Sequence, residues 1–247
     1  MRAMNSKQHL FIVTGSSRGM GAAIARRLTG PEHRVIGIAR LAGPEVSGLE
    51  PWQQDLSHPL EAAERLQDWL GKQSPFASAT LINNAGVISR PGPIDQASLA
   101  ELSNAIRVGL ESVLLLSAAF LQATRAWGVP LKILNISSGL GRRAMAGSAP
   151  YCAAKAGMDN LSASMALDEA ERANGARIVS LAPGVIDTDM QIQLRTADPA
   201  GFPEQQRFID FKASGALMSP DEAAGKVIAY LRRPDFGSQP IADVRQA

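Results

Sequence analysis

Five short runs of mostly apolar, often β-branched residues punctuate the chain: LFIVTG (10–15), RVIGIA (34–39), TLINNAG (80–86), LKILNISS (131–138) and ARIVSLAPG (176–184). Runs without polar alternation suit strands buried on both faces, as in a parallel sheet. Between them, apolar residues recur with helical spacing over 20–29, 59–72, 99–126, 151–174 and 219–232. Strand and helix alternate along the whole length, which predicts right-handed crossovers and a doubly wound α/β sheet. No repeat, linker or low-complexity tract interrupts the alternation, so residues 1–247 are read as one domain. Residues 189–218 break the rhythm with Gly, Pro and mixed charge; following a strand's carboxyl end, such an insertion predicts a lid over a ligand.

Composition narrows the classes. The 247 residues are 45% apolar, enough for one good core, and the net charge is only +2 with the basic residues scattered. No nucleic-acid partner and no membrane partner are expected from that balance. The polar start MRAMNSKQH has no apolar core of signal-peptide length, and VLLLSAAFLQA (113–123) is too short to span a bilayer. A single cysteine, Cys152, excludes an internal disulfide framework and points to a reducing, cytoplasmic setting; without a paired His it reads as a small packing residue. No metal is expected.

The run TGSSRGMG (14–21) follows the first strand and opens a helix. Gly15 allows a sharp turn, Gly19 lets backbone approach a pyrophosphate, and Gly21 lets the helix pack close to the strand. A dinucleotide is the expected ligand, although a glycine-rich turn can also be purely structural. The second strand ends in Ala39 and Arg40, where an acidic residue would take a ribose 2′-hydroxyl. With Arg18 inside the turn, two guanidiniums favour a 2′-phosphate, hence NADP(H) as cofactor; the plainer reading of Arg40 is a solvated strand-end charge. Ser17 and Met20 complete the cofactor-facing turn. In QDLS (54–57), after a third strand, Asp55 and Leu56 could face the adenine, or Ser57 could simply cap a helix.

Ketone reduction needs a proton at the developing alkoxide while hydride reaches carbon. Tyr151 and Lys155, spaced i and i+4 in YCAAK, share a helix face, and an ammonium there would stabilise a phenolate. Ser138, at a strand end, could hold the substrate oxygen. An ordinary surface Tyr–Lys pair with a Ser cap is the plainer alternative.

TGSSRGMG, NNAG (83–86), NISS (135–138), YCAAK (151–155) and PGVIDT (183–188) together resemble the short-chain dehydrogenase/reductase family, in order and spacing, over nearly the whole chain. YCAAKAGMD and APGVIDTDMQ are similar to its sepiapterin-reductase and bacterial carbonyl-reductase branch. The resemblance implies a Rossmann-type three-layer α/β/α fold. It implies Tyr151 as general acid/base, Lys155 as its partner and a ribose ligand, and Ser138 as the orienting hydroxyl. It further implies Asn84, Ala85 and Gly86 along the adenine ribose, Val108 beside the cofactor, and Pro183, Gly184, Ile186 and Thr188 around the nicotinamide. Homodimers or homotetramers built on helices 99–126 and 151–174 are implied as well.

One position departs from the family pattern: Gly109 stands where an Asn is usual, and Asn104 is five residues too early to replace it. A helical glycine costs about 1 kcal/mol relative to alanine, so local backbone irregularity or close packing is expected there. Near the C-terminus, Asp243 aligns with the pterin-anchoring aspartate of the sepiapterin-reductase branch, or is an exposed terminal acid. The sequence thus predicts an NADPH-dependent reductase of a small-molecule carbonyl substrate, a ketone, 1,2-diketone or pterin side chain. A catalytically weak dinucleotide sensor or scaffold is the competing reading.

Overall fold

The computed structural model describes residues 8–43 and 45–246, which include every expected site residue. Seven parallel strands form one sheet in the order β3-β2-β1-β4-β5-β6-β7, with β1 His9–Thr14, β2 His33–Ala39, β3 Leu49–Gln53, β4 Ser78–Asn83, β5 Leu131–Ile136, β6 Arg177–Ala182 and β7 Ile241–Asp243. The order reverses between β1 and β4. At such a switch point the connections leave in opposite directions, and a crevice opens at the strands' carboxyl ends.

Alternate residues of each central strand feed opposite faces. Leu10, Ile12, Leu81 and Ile133 pack on one side, and Val13, Ile82, Leu134 and Val179 on the other. Helix α2 (Pro59–Gly71) and helix α4 (Ser112–Thr124) cover the first face, while α1 (Gly19–Leu28) and α8 (Pro220–Leu231) cover the second. Burial on both faces explains why the strands lack polar alternation.

Two strands carry weak signals for physical reasons. Edge strand β3 reads LEPWQ, where Pro51 withholds an N–H from any further neighbour and Glu50 keeps the rim polar. Strand β7 has three residues and pairs only with β6. The expected helix over 99–126 is not one helix. It divides into α3 (Leu99–Ile106), a π-helical segment at Arg107–Glu111, α4, and a 3₁₀ turn at Arg125–Trp127. Ser98 starts α3 with a reciprocal capping box to Glu101, as Ser219 does for α8 with Glu222. The cap alternative at Ser57 is corrected: α2 starts at Pro59 after His58, and Ser57 N–H instead donates to Asp55 Oδ1 at 2.9 Å.

The 189–218 insertion folds as α6 (Asp189–Arg195) and α7 (Gln205–Ala213). Phe202 is fully buried and stacks on Phe208 at 5.7 Å, and both pack with Met145 and Leu194 into a small separate core.

Candidate active site

The crevice begins where β1 ends. Thr14 is buried, and its Oγ1 accepts the backbone N–H groups of Asn84 (2.9 Å) and Ala85 (3.0 Å). Asn84 Nδ2 donates to the Thr14 carbonyl at 2.9 Å. These bonds tie the tip of β4 to the glycine-rich turn, and the Asn84 amide helps to hold the turn's shape. Gly15 has φ of +69°, a conformation costly for any residue with a Cβ. A Cβ on Gly21 would lie 2.1 Å from the Gly15 carbonyl oxygen and 2.3 Å from Asn84 Nδ2, so only glycine fits where α1 meets the turn. The backbone thus forms a cradle at a helix N-terminus, suited to a pyrophosphate. Met20 is buried under it.

Arg40 is exposed at the end of β2, and Gly43 packs against the Ser17 backbone, which brings the segment after Arg40 onto the turn. Arg18 extends from the turn in the other direction, where Nη1 donates to Asp189 Oδ2 at 2.8 Å at the start of the lid. Asp55 is occupied by the turn before α2, while Leu56 is buried beside it. The glycine cradle fits a dinucleotide pyrophosphate, with Arg40 at the end of the neighbouring strand and Arg18 engaged by Asp189.

At the opposite side stand Ser138, Tyr151 and Lys155. Ser138 follows β5, and its Oγ accepts Leu140 N–H at 3.2 Å, starting a 3₁₀ turn at Gly139–Gly141. Helix α5 (Ala149–Ala170) opens with Pro150, pre-set for a first turn, so Tyr151 lies beside that serine. Burial pushes the Tyr151 phenol up to about 12, against a hydrogen bond with Ser138 that pulls it down. Burial pulls the Lys155 ammonium down to about 8, against the Asp159 carboxylate that holds it up. Lys155 Nζ donates to the Ile136 carbonyl at 2.6 Å and lies 5.7 Å from the centre of the Tyr151 ring. The phenol is therefore held protonated, the form a proton donor needs; Lys155 is near enough to stabilise the phenolate left after transfer. A Cβ at Gly86 would be 3.9 Å from Lys155 Nζ, which places the amine beside the NNAG segment.

The segment after β6 faces both ends. Pro183 is buried, and the loop pairs with the lid's exit through a bridge between Ile186 and Met218. Thr188 precedes α6 without capping it through its side chain, and its methyl lies 3.6 Å from the Cβ position of Gly19. Val108 is buried in the π-helical segment next to Gly109, whose Cβ position is 2.9 Å from Ala154 Cβ. Both expectations for Gly109 hold: the backbone is irregular and the packing close. Leu140, in the turn after Ser138, Cys152, next to Tyr151 in sequence, and Met190 pack against the lid core. Asp243 is buried, not an exposed terminal acid, and both its oxygens accept from Arg245, at 2.9 and 2.6 Å.

Other residues were not singled out by sequence. Asn83 Nδ2 donates to Asn135 Oδ1 at 2.9 Å, and Asn135 Nδ2 donates to Ser162 Oγ at 2.8 Å, a buried polar chain from β4 through β5 to α5. Its signal was the first Asn of NNAG and the Asn of NISS, polar residues inside otherwise apolar strands. Asp159, one helical turn beyond Lys155, was visible only as an acid on an inward helix face.

A family model for the short chain dehydrogenase matches residues 9–199. Benzil reductase ((S)-benzoin forming) of Bacillus cereus is 32% identical over 237 residues, covering 91% of this chain and 94% of the relative. The NADPH-dependent pterin aldehyde reductase of Arabidopsis thaliana is 30% identical, with 72% and 75% covered. The crystal structure of a metagenomic short-chain oxidoreductase in complex with NADP superimposes with a TM-score of 0.69 at 29% identity, covering 97% of this chain and 96% of that one.

Proposed function

Since the chain belongs to the short-chain dehydrogenase family and is an oxidoreductase of that fold, we propose that it is an NADPH-dependent reductase of apolar ketones, 1,2-diketones above all. The observation that carries the reading is a phenol at Tyr151 that burial keeps protonated, with the buried Lys155 amine 5.7 Å from the centre of its ring. Bound NADPH supplies the hydride. Ser138 holds the carbonyl oxygen, Tyr151 donates its proton to that oxygen, and Lys155 stabilises the resulting phenolate. Arg40, with Ser17, holds the 2′-phosphate, Lys155 the ribose, and Thr188 the carboxamide.

A diketone is favoured over a pterin because Asp243, the acid that would anchor a pterin's donor edge, is already paired with Arg245. The lid core of Met145, Leu194, Phe202 and Phe208 backs an apolar substrate instead. The test is NADPH consumption with a panel of 1,2-diketones, simple ketones and sepiapterin, repeated with NADH. Turnover of diketones with NADPH supports the reading. NADPH binding without turnover of any carbonyl would favour a dinucleotide sensor.

The protein acts in this proposal as a homo-oligomer in the cytoplasm. Leu114 on α4 and Leu167 on α5 are 45% and 73% exposed, next to the half-buried Ala118, Ala163 and Ala166, a face suited to a second copy. Sedimentation of Leu167→Lys beside the parent protein checks it; an unchanged parent monomer would contradict it.

A further inference from the structure

One buried acid beside Lys155 takes no direct part in the proton transfer above. Asp159 is 4% exposed and lies on α5 one turn after Lys155. Its Oδ1 accepts from Ser180 Oγ at 2.6 Å, and Ser180, on β6, is fully buried. Its Oδ2 lies 3.2 Å from Arg142 Nε, near enough to pair as charges but not aligned as a hydrogen bond. Arg142 ends the 3₁₀ turn that begins at Ser138, and its Nη2 donates onward to the Ala242 carbonyl on β7 at 2.9 Å. Gly141, in the same turn, has its Cβ position 2.7 Å from Asp159 Oδ2 and 2.9 Å from the Lys155 carbonyl oxygen. The turn is thus pressed against α5 at the level of the site, and Asp159, itself on α5, meets both the turn through Arg142 and β6 through Ser180.

Building on the reductase reading, we propose that Asp159 is a positioning residue. Through Arg142 and Ser180 it clamps the turn carrying Ser138 against the helix carrying Tyr151 and Lys155. A carboxylate suits this task. It faces a guanidinium on one oxygen and a hydroxyl on the other, and drawing either partner away would leave a buried charge uncompensated. Proton donation depends on Ser138 and Tyr151 keeping their relative positions, and displacements of about 1 Å at such a site can cost roughly 10²-fold in rate.

The clamp is tested with Asp159→Asn, which keeps the shape and the Ser180 contact but loses the charge, and with Arg142→Lys, which keeps the charge but loses the planar fork. Both are measured in the full chain for thermal unfolding, for kcat and KM with a diketone, and for amide hydrogen exchange over residues 138–142. The expected result is a kcat roughly tenfold or more lower, KM within about twofold, and faster exchange confined to the turn, because only the transition-state geometry is lost. Folded variants with parental kcat, or with unchanged exchange in the turn, would overturn the clamp. So would a loss confined to KM. If Asp159→Asn does not fold, Arg142→Lys decides by the same criteria. If the parent protein reduces no carbonyl, the reductase reading fails by itself, and the exchange over 138–142 still supports or overturns the clamp.

Discussion

Substituting Gly109 with alanine sets two ordinary effects against each other, and the structure says which wins. In an open helix the change is stabilising by about 1 kcal/mol, since glycine is the poorer helix former. Here the new methyl would lie 2.9 Å from Ala154 Cβ, well inside the roughly 3.5–4.0 Å at which two carbons rest. Relief requires the π-helical segment and α5 to separate by several tenths of an ångström, and overpacking of this kind costs about 1–3 kcal/mol. Overpacking exceeds the propensity gain, so a net loss on the order of 1 kcal/mol is expected, or roughly 2–4 °C in melting temperature for a chain of this size. Ala154 directly precedes Lys155, so kcat should fall too. The assay is urea unfolding at fixed protein concentration for Gly109→Ala, Ala154→Gly and the double variant. The double should lose less than the two singles combined, a coupling of about 1 kcal/mol. A Gly109→Ala protein as stable as the parent, or more so, would refute the close-packing argument.

Arg40→Ala should raise the NADPH dissociation constant about tenfold or more, the scale of one charge-assisted hydrogen bond, and leave NADH unaffected; equal losses for both cofactors would contradict the 2′-phosphate role. Burial lowers Lys155 to about 8, so its ammonium is lost well below the pH at which a free lysine loses it. The free-enzyme profile of kcat/KM for NADPH should therefore decline above about pH 8. In Lys155→Arg that decline should move beyond the measurable range, because a guanidinium keeps its charge. Asp243→Asn should leave diketone turnover within about twofold, because Asp243 is held by Arg245 and takes no part in the proton transfer; a large selective loss with sepiapterin would restore the pterin anchor.

Much of this architecture is legible in the sequence because double-sided burial leaves unbroken apolar runs, and β1, β2, β4, β5 and β6 all fall within a few residues of theirs. Strand β7 has no such run, since three residues at a sheet edge need little apolar surface. The break in 99–126 is written only in Gly109, because the residues around it keep helical spacing through the π-helical segment. Tyr151 and Lys155 are readable as a pair since i and i+4 share a helix face. Their balance of charge is not, because it depends on burial, and burial outweighs the Ser138 hydroxyl at the phenol. The Arg18–Asp189 and Asp159–Arg142 contacts join segments far apart in the chain, so no local pattern announces them.

The proton donor is the centre of the account, and Tyr151→Phe removes only its oxygen. With NADPH and a 1,2-diketone, the variant should bind NADPH within about threefold of the parent while kcat drops by roughly 10²–10⁴, the range of a lost general acid. A variant that still turns over within a factor of about ten, with cofactor bound, would show that the proton comes from elsewhere.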